Sequence, residues 1–199
     1  MLQIKRVGHS TLITPDIERT IDYFTRIVGL SLAARDKNRA ILATKSGLEA
    51  IVLERGGASE APRLSFQIAP SSDLGEVASR LKKAGIKSEK RSDITPGIGE
   101  ALAFKDPKGT TLEIFSEFNF APEDNTFNGV MPIKFGHIAY QCPDVQGTVK
   151  FYCDMLGFRV SDWRSDYFAF LRCSRDHHTV NFLRDDKAAI HHIAFEVRD

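Results

Sequence analysis

Two stretches of the chain, GHIAYQCPDVQGTVKFYCDMLGFRV at residues 136–160 and GHSTLITPDIERTIDYFTRIVGLSL at residues 8–32, align without a gap at a constant offset of 128 residues. Both copies open on Gly-His, contain a Pro-Asp pair and carry a glycine at the same position, Gly29 in one and Gly157 in the other. A repeat of this kind indicates a duplicated structural unit. It therefore governs the interpretation of the rest of the chain.

Each copy has the pattern of a strand, a helix and further strands. In the first copy Ile17, Ile21, Phe24 and Val28 are spaced so that they share one helical face. The aspartate of the Pro-Asp pair suits a helix start, and the glycine that follows suits a helix end. Short runs typical of strands follow the two helices, at residues 40–43, 48–53, 167–172 and 179–183.

A more diverged unit lies between the two copies, and a further one begins near the end of the chain. The middle unit has strand or helix patterns at residues 64–68, 73–84, 101–104 and 111–115, and IHHIAFEV at 190–197 resembles an opening strand. We therefore predict an α+β fold of tandem βαβββ modules that form two cup-shaped half-barrel domains. The predicted parts are an N-terminal domain without metal at 1–119 (modules 1–57 and 62–119), a linker at 120–132, and an incomplete C-terminal metal-binding domain at 133–199 (module 133–185, start of a fourth module at 189–199).

A lone opening strand has no sheet to complete, so we expect the sequence to be part of a longer protein.

The composition of the chain limits its function and location. The formal net charge is +1 without a block of Lys and Arg, which argues against nucleic-acid binding. No apolar run approaches the roughly 18 residues of a membrane span. Three cysteines without CxxC spacing are typical of reduced thiols, and a cytoplasmic protein is expected.

The strand that opens each unit predicts where its histidine side chain lies, because side chains alternate between the two faces of a strand. In IHHIAFEV the apolar residues Ile193 and Phe195 share one face with His191, whereas His192 lies on the other face. The same alternation places His137 and Ala139 opposite the apolar residues of their own strand. His137 and His192 are therefore the candidate metal ligands, since histidine is a common ligand of transition metals.

The N-terminal half has different residues at the matching positions. His9 corresponds to His137, but the position of His192 is taken by Arg63, whose guanidinium has no free lone pair for a metal. A site with two histidines is thus expected only in the C-terminal half. His9 is interpreted as a relic or as a polar group satisfied locally, and Glu113 as a leftover of the duplicated site and a candidate partner of Arg63.

Taken with these units, the motifs GHIAYQCPDVQGTVKFYCDMLGF, DHHTVNFL, IHHIAFEV and DPKGTTLE (residues 106–113) resemble the type I extradiol ring-cleavage dioxygenases. Those enzymes belong to the vicinal oxygen chelate superfamily, which also contains glyoxalases and bleomycin-resistance proteins. The resemblance implies Fe(II), or Mn(II), held by two histidines and one glutamate. It also implies a small aromatic diol and O2 as substrates and a homo-oligomeric assembly.

Carried onto this sequence, the resemblance makes His137 and His192 the metal ligands and His178 the catalytic acid and base. Periodicity alone does not decide between His177 and His178. Ala139 and Phe170 are expected to line the substrate pocket. The third ligand, a glutamate, is expected in the last strand of the fourth unit, beyond Asp199, so the chain as given is expected to hold metal poorly and to be inactive.

Two other functions remain open at this stage. One is a glyoxalase-like metal-dependent isomerase or transferase, and the other is a non-catalytic protein that binds a small aromatic molecule. Addition of Fe(II), catechol and O2 distinguishes the three: a yellow ring-fission product indicates the dioxygenase, and metal-dependent isomerisation of a thiol adduct indicates the glyoxalase. Binding without turnover or metal indicates the third.

Overall fold

The structure, a computed structural model, describes residues 2–198 and repeats one order of elements. The first unit contains β1 (Ile4–Thr14), α1 (Ile17–Asp22, continued by a π-helical segment Tyr23–Val28), β2 (Ser31–Arg35), β3 (Arg39–Ala43) and β4 (Glu49–Arg55). The second contains β5 (Glu60–Ile68), α2 (Leu74–Lys83), β6 (Ser88–Arg91), β7 (Ala101–Lys105) and β8 (Thr111–Phe115). The third contains β9 (Lys134–Cys142), α3 (Val145–Leu156), β10 (Arg159–Arg164), β11 (Phe168–Arg172) and β12 (Val180–Arg184), and β13 (Ala189–Glu196) follows. The predicted βαβββ modules are confirmed.

The strands form two sheets with matching topology. The first sheet has the order β2-β3-β4-β1-β5-β8-β7-β6, and the second has the order β10-β11-β12-β9-β13. In both sheets the first and last strands of a module pair in parallel, as β1 with β4 and β9 with β12. The first strand of the next module then pairs antiparallel with the first strand of the preceding one, as β5 with β1 and β13 with β9. The five strands of the second sheet therefore repeat the first five of the first sheet, and no closed barrel forms within residues 2–198.

Each helix begins at an aspartate and packs an apolar face on its sheet. Asp16, Asp73 and Asp144 are the N-cap residues: their carboxylates accept hydrogen bonds from backbone N–H groups of the first turns. These N–H groups have no acceptor within the helix itself. Gly29 and Gly157 end their helices in the left-handed conformation, as the repeat predicts. The buried helical residues are Ile17, Ile21, Phe24, Leu74, Val77, Leu81, Val145, Thr148, Val149, Tyr152 and Leu156.

One large apolar core joins the N-terminal and C-terminal halves. Phe66 of β5 packs edge-on against Tyr152 of α3 and Phe158, with ring centroids 6.3 and 5.4 Å apart. A smaller cluster covers the opposite face of the first sheet, where Ile94 and Ile98 of the β6–β7 loop pack on Phe115. The helices and the shared core thus lie on one side of each sheet, and the other side of the first sheet bears the smaller apolar cluster as well as polar residues.

The segment between β8 and β9 has no helix or strand, and the linker predicted at 120–132 lies within it. It is nevertheless held to the N-terminal half, because the Asp124 carboxylate accepts hydrogen bonds from Lys45 and Ser31. The domain boundaries themselves stay a prediction, since the main core spans both halves. Within the described residues, none of the helices is long and apolar enough to cross a membrane.

Candidate metal centre

His137 and His192 face each other across the β9–β13 pair. In the register of these strands, Ala194 lies opposite His137 and His192 lies opposite Ala139, so both histidines project from the same face of the second sheet. We call the face that bears them, on the side of the sheet away from α3, the cup face. A register shift between Ile190 and His192 leaves His191 in a bulge with an exposed side chain.

The two imidazoles converge through the same nitrogen. The Nε2 atoms of His137 and His192 are 3.0 Å apart. Two adjacent ligands at a metal–nitrogen distance of about 2.1 Å are separated by about 3 Å, so this spacing suits a shared first-row metal ion. On the other side of its ring, Nδ1 of His192 lies 2.7 Å from Nδ1 of His191. Nδ1 of His192 is thus engaged by His191, and Nε2 is the nitrogen that faces His137.

The surroundings favour the neutral imidazoles that a metal requires. Burial, together with the nearby His178 and His192, lowers the pKa of His137 from its ordinary value to about 4. Burial also lowers the pKa of His192, and His191 adds to this effect. Both rings are therefore neutral at neutral pH, and each keeps one nitrogen lone pair for a metal ion.

His178 lies beside this pair, in the loop between β11 and β12. Its ring centroid is 4.2 Å from that of His137, and its Nδ1 is 2.9 Å from Nδ1 of His177. Burial lowers the pKa of His178, with further contributions from His177 and His192. Because β12 begins at Val180, neither histidine of this pair belongs to a strand, which explains why strand periodicity does not choose between them. In the structure His178 is half-buried next to His137, whereas His177 is exposed.

One row of residues across the cup face contains both predicted pocket residues. Phe170 of β11 pairs with Asn181 of β12, Asn181 with Ala139 of β9, and Ala139 with His192 of β13. The Phe170 ring lies 5.3 Å from that of His178. Asn181 is a candidate site residue that strand periodicity did not single out: it is buried, and among residues 2–198 its amide oxygen has no hydrogen-bond partner. The signal for it is a lone polar residue between the buried Val180 and Phe182.

Among residues 2–198 there is no group of three or more His, Cys, Asp or Glu side chains arranged to hold a metal ion. Glu196, which strand alternation places on the face of His192, forms an ion pair with Lys134 at 2.9 Å after a register shift at Ala194. The predicted glutamate ligand beyond Asp199 lies outside the described residues. The part of the chain that the structure describes thus contains two converging imidazoles, and their role as metal ligands stays a prediction.

The equivalent face of the N-terminal half carries an ionic cluster. His9 Nε2 lies 3.7 Å from Glu113 Oε2, and Glu113 Oε1 lies 3.7 Å from Arg63 Nε. Arg91 also contacts Glu113 Oε1 at 3.2 Å, and Arg63 donates to Glu54 at 2.5 Å. The anticipated pairing of Glu113 with Arg63 is therefore present. His9 differs from the expectation of a locally satisfied group, since neither of its ring nitrogens has a hydrogen-bond partner.

Comparison with known proteins agrees with this architecture. The chain matches the Glyoxalase/Bleomycin resistance protein/Dioxygenase superfamily over residues 6–114 and 134–199. The chain belongs to this superfamily. Among curated members, biphenyl-2,3-diol 1,2-dioxygenase of Paraburkholderia xenovorans is 25% identical over 215 residues, which cover 98% of the chain and 72% of that relative.

Two solved superfamily structures are similar over nearly the whole chain. The substrate complex of homoprotocatechuate 2,3-dioxygenase from Brevibacterium fuscum has a TM-score of 0.87 at 24% identity, covering 98% of this chain and 64% of that one. A Mn(II)-bound glyoxalase from Novosphingobium aromaticivorans has a TM-score of 0.88 at 25% identity, covering 98% and 66%. The superfamily members similar to this chain thus include extradiol dioxygenases and a glyoxalase.

Proposed function

We propose that the cup face of the C-terminal half is the metal-binding and catalytic part of an extradiol dioxygenase, which opens the ring of a catechol-type diol with O2 in the degradation of aromatic compounds. The observation that carries the proposal is the 3.0 Å separation between Nε2 of His137 and Nε2 of His192, with the His178 ring beside them. His137 and His192 would hold the metal, Fe(II) or Mn(II). A first-row metal ion bound by two histidines and a carboxylate supplies open coordination positions and redox chemistry for reaction with O2.

The side chains around this pair would bind and orient the diol. Phe170 offers an aromatic face next to His178, and Ala139 leaves space beside His192 because its side chain is a single methyl group. The unpartnered amide oxygen of Asn181 lies in the same row and would accept a hydrogen bond from a hydroxyl of the substrate. These three side chains set the size and polarity of the pocket next to the two ligands.

His178 would move the substrate proton. Its Nδ1 contacts His177, so Nε2 is the nitrogen free to exchange a proton with the diol. The lowered pKa of His178 keeps the imidazole neutral at neutral pH, and a neutral imidazole can accept a proton from a hydroxyl and return it later. His177 would position His178 through the Nδ1 contact.

The third ligand, a glutamate, remains a prediction, since the described residues hold no group of three possible ligands. On this proposal the two histidines of the 199-residue chain bind metal weakly, and the chain alone does not turn over. The cytoplasmic location also remains a prediction, supported by three cysteines that form no disulfide, as does assembly into a homo-oligomer.

The test separates metal binding from turnover. Anaerobic titration with Co(II) or Fe(II) is expected to give one weak site in the 199-residue chain, and H137Q or H192Q should abolish it. H191Q is the matched control: it removes only the contact at Nδ1 of His192 and should weaken metal binding by no more than about 10- to 100-fold. Metal binding that survives H137Q and H192Q would refute the site.

Turnover is then measured with catechol and 2,3-dihydroxybiphenyl in air-saturated buffer. A yellow ring-fission product from any longer form of the protein, lost in H137Q, is the result expected for an extradiol dioxygenase. The same product from the 199-residue chain would show that the ligand set is complete without a further glutamate. Absence of product from a longer, metal-loaded form would refute the dioxygenase proposal.

A glyoxalase-like isomerase or transferase is the second candidate, favoured by the similarity to the Mn(II)-bound glyoxalase. The histidine-rich cup face argues for the dioxygenase, because His178 has the position and protonation state of a base for a phenolic proton. Metal-dependent isomerisation of a thiol adduct, without oxygen consumption, would favour the second candidate.

A further inference from the structure

The strand register makes Arg63 the structural equivalent of His192. Arg63 lies opposite Thr11 of β1, and His192 lies opposite Ala139 of β9; Thr11 and Ala139 are separated by the same 128 positions as His9 and His137. Position 63 in the first sheet is therefore equivalent to position 192 in the second sheet. His9 and Arg63 are neighbours in the first sheet as His137 and His192 are in the second.

Glu113 supplies a carboxylate at the same place. It lies opposite Ser65 on β5, two residues from Arg63, and therefore on the same face. Its Oε2 atom points to His9 Nε2 at 3.7 Å, while Oε1 contacts the guanidinium groups of Arg63 and Arg91. Within 4 Å of this carboxylate there are thus one imidazole and two permanent cations.

His9 is buried without the partners that a buried imidazole normally has. Its side chain is almost completely inaccessible to solvent, and within the described part of the chain neither Nδ1 nor Nε2 has a hydrogen-bond partner. A buried polar group left unpaired costs about 1–3 kcal/mol, so such a group usually has a ligand or a functional reason. His9 Nε2 and Glu113 Oε2 face each other across 3.7 Å, and both are types of atom that bind a divalent transition metal once the imidazole nitrogen gives up its proton.

We propose that the N-terminal half retains two ligands of a metal site, His9 and Glu113, and that the guanidinium of Arg63 takes the place of the third ligand and of the ion. The positive charge that a divalent metal would supply to Glu113 comes instead from Arg63, with a share from Arg91. Exchange of Arg63 for a metal-binding side chain is then sufficient to give this half a site for a divalent first-row transition metal.

This inference is independent of the proposed function, because it concerns the other sheet. The test uses the whole chain carrying H137A and H192A, so that the cup face of the C-terminal half contributes no metal binding. In this background R63H is expected to bind one equivalent of Co(II), with visible absorption bands and at least tenfold higher affinity than the parent with Arg63. Arg63 is partly exposed (20%), so a shorter side chain opens a path to the buried pair.

Three controls make the result specific. R63K keeps a cation but adds no ligand and should not bind Co(II), whereas E113Q combined with R63H should weaken binding at least tenfold. R91Q combined with R63H should strengthen it, since it removes the second cation next to Glu113. Absence of Co(II) binding in folded R63H, or binding that E113Q leaves unchanged, would overturn the proposal.

R63C is the second variant, because a cysteine is smaller than histidine and binds the same metals through its thiolate. It is expected to bind Co(II) with the intense absorption of a thiolate ligand. If both variants are unfolded without metal, recovery of the native circular dichroism spectrum on addition of Co(II) becomes the readout, because metal binding then drives folding. Failure of both variants to recover with Co(II) counts against the proposal.

Discussion

At the scale of single residues, the proposed function assigns two roles to similar imidazoles of the cup face. His137 and His192 meet through Nε2, whereas the His178 ring lies beside His137 with its Nδ1 in contact with His177. On this proposal His178 carries a proton without binding the metal. Metal affinity and turnover should therefore respond differently to replacement of His178.

We expect H178Q to leave metal affinity within about tenfold of the unchanged protein and to reduce the rate of ring cleavage by about 10²–10⁴-fold, the usual contribution of a general base. The measurements are Co(II) titration and oxygen consumption with catechol in a form of the protein that turns over. H177Q is the matched control and should cost less, because its exposed ring acts only through His178. Loss of metal from H178Q would instead make His178 a ligand.

At the scale of elements, the repeated Pro-Asp pair explains where α3 begins. The Asp144 carboxylate accepts a hydrogen bond from the Gly147 N–H at 2.8 Å, so a backbone donor of the first turn is satisfied. We expect D144A to lower the free energy of unfolding by about 1 kcal/mol. Urea denaturation measures this, with D144N as the control that keeps an acceptor oxygen. An equal loss in D144N would show that the charge, and not the cap, stabilises the helix.

A second prediction concerns the segment between β8 and β9 and depends on pH. Hydrogen bonds from Lys45, Ser31 and Thr126 hold the pKa of Asp124 well below its ordinary value. Since the folded-state pKa is the lower one, the ionised carboxylate stabilises the fold at pH values above its unfolded pKa of about 3.9. This contribution is lost as the pH falls further towards the folded-state pKa.

The melting temperature of D124N should accordingly lie below that of the unchanged chain at pH 7, by the same amount at pH 5, and by less as the pH falls from 4 towards 3. The measurement is a series of thermal melts at these pH values. E123Q is the control, because Glu123 is an exposed acid in the same segment. A gap that stays constant down to pH 3 would contradict the assigned role of Asp124.

The elements also show how far the sequence predicts this fold. Helices, core strands and the equivalence of His9 with His137 follow from apolar periodicity and from the repeat. Apolar periodicity does not identify the edge strands β2, β6 and β10, because polar or partly exposed residues replace the buried apolar pattern in them. The bulge at His191 and the loop around His178 depend on strand register and tertiary contacts, which periodicity does not contain.

At the scale of the whole molecule, the two copies of the repeat contact each other in equivalent ways. The Leu2 N–H donates to the Met155 carbonyl at 3.3 Å, and the Val130 N–H donates to the Ile27 carbonyl at 3.2 Å. Leu2 corresponds to Val130 in the repeat, and Ile27 corresponds to Met155, each at the offset of 128 positions that relates His9 and His137. The two hydrogen bonds are therefore equivalent. The first and third modules therefore pack about an approximate twofold relation, through elements that lie away from the cup face.

A buried ionic cluster reinforces this contact between the halves. Asp106, in the β7–β8 turn, accepts hydrogen bonds from Lys108 at 2.7 Å and from the hydroxyl of Tyr152 on α3 at 3.0 Å. The Lys108 ammonium also lies 3.8 Å from the centre of the Tyr140 ring on β9. Lys108 and Asp106 are almost fully inaccessible to solvent, so each charge depends on the other.

We expect K108M to lower the free energy of unfolding by about 3–5 kcal/mol, because it leaves the Asp106 carboxylate buried without its cation. K105M is the matched control in the same hairpin: Lys105 is exposed and donates to the Gly109 carbonyl, so its loss should cost no more than about 0.5 kcal/mol. Adding D106N to K108M should restore part of the loss, since the unpaired charge is then removed. Equal stability of K108M and K105M would mean that the cluster does not hold the halves together, and that the apolar contacts of Phe66 with Tyr152 and Phe158 carry this interface alone.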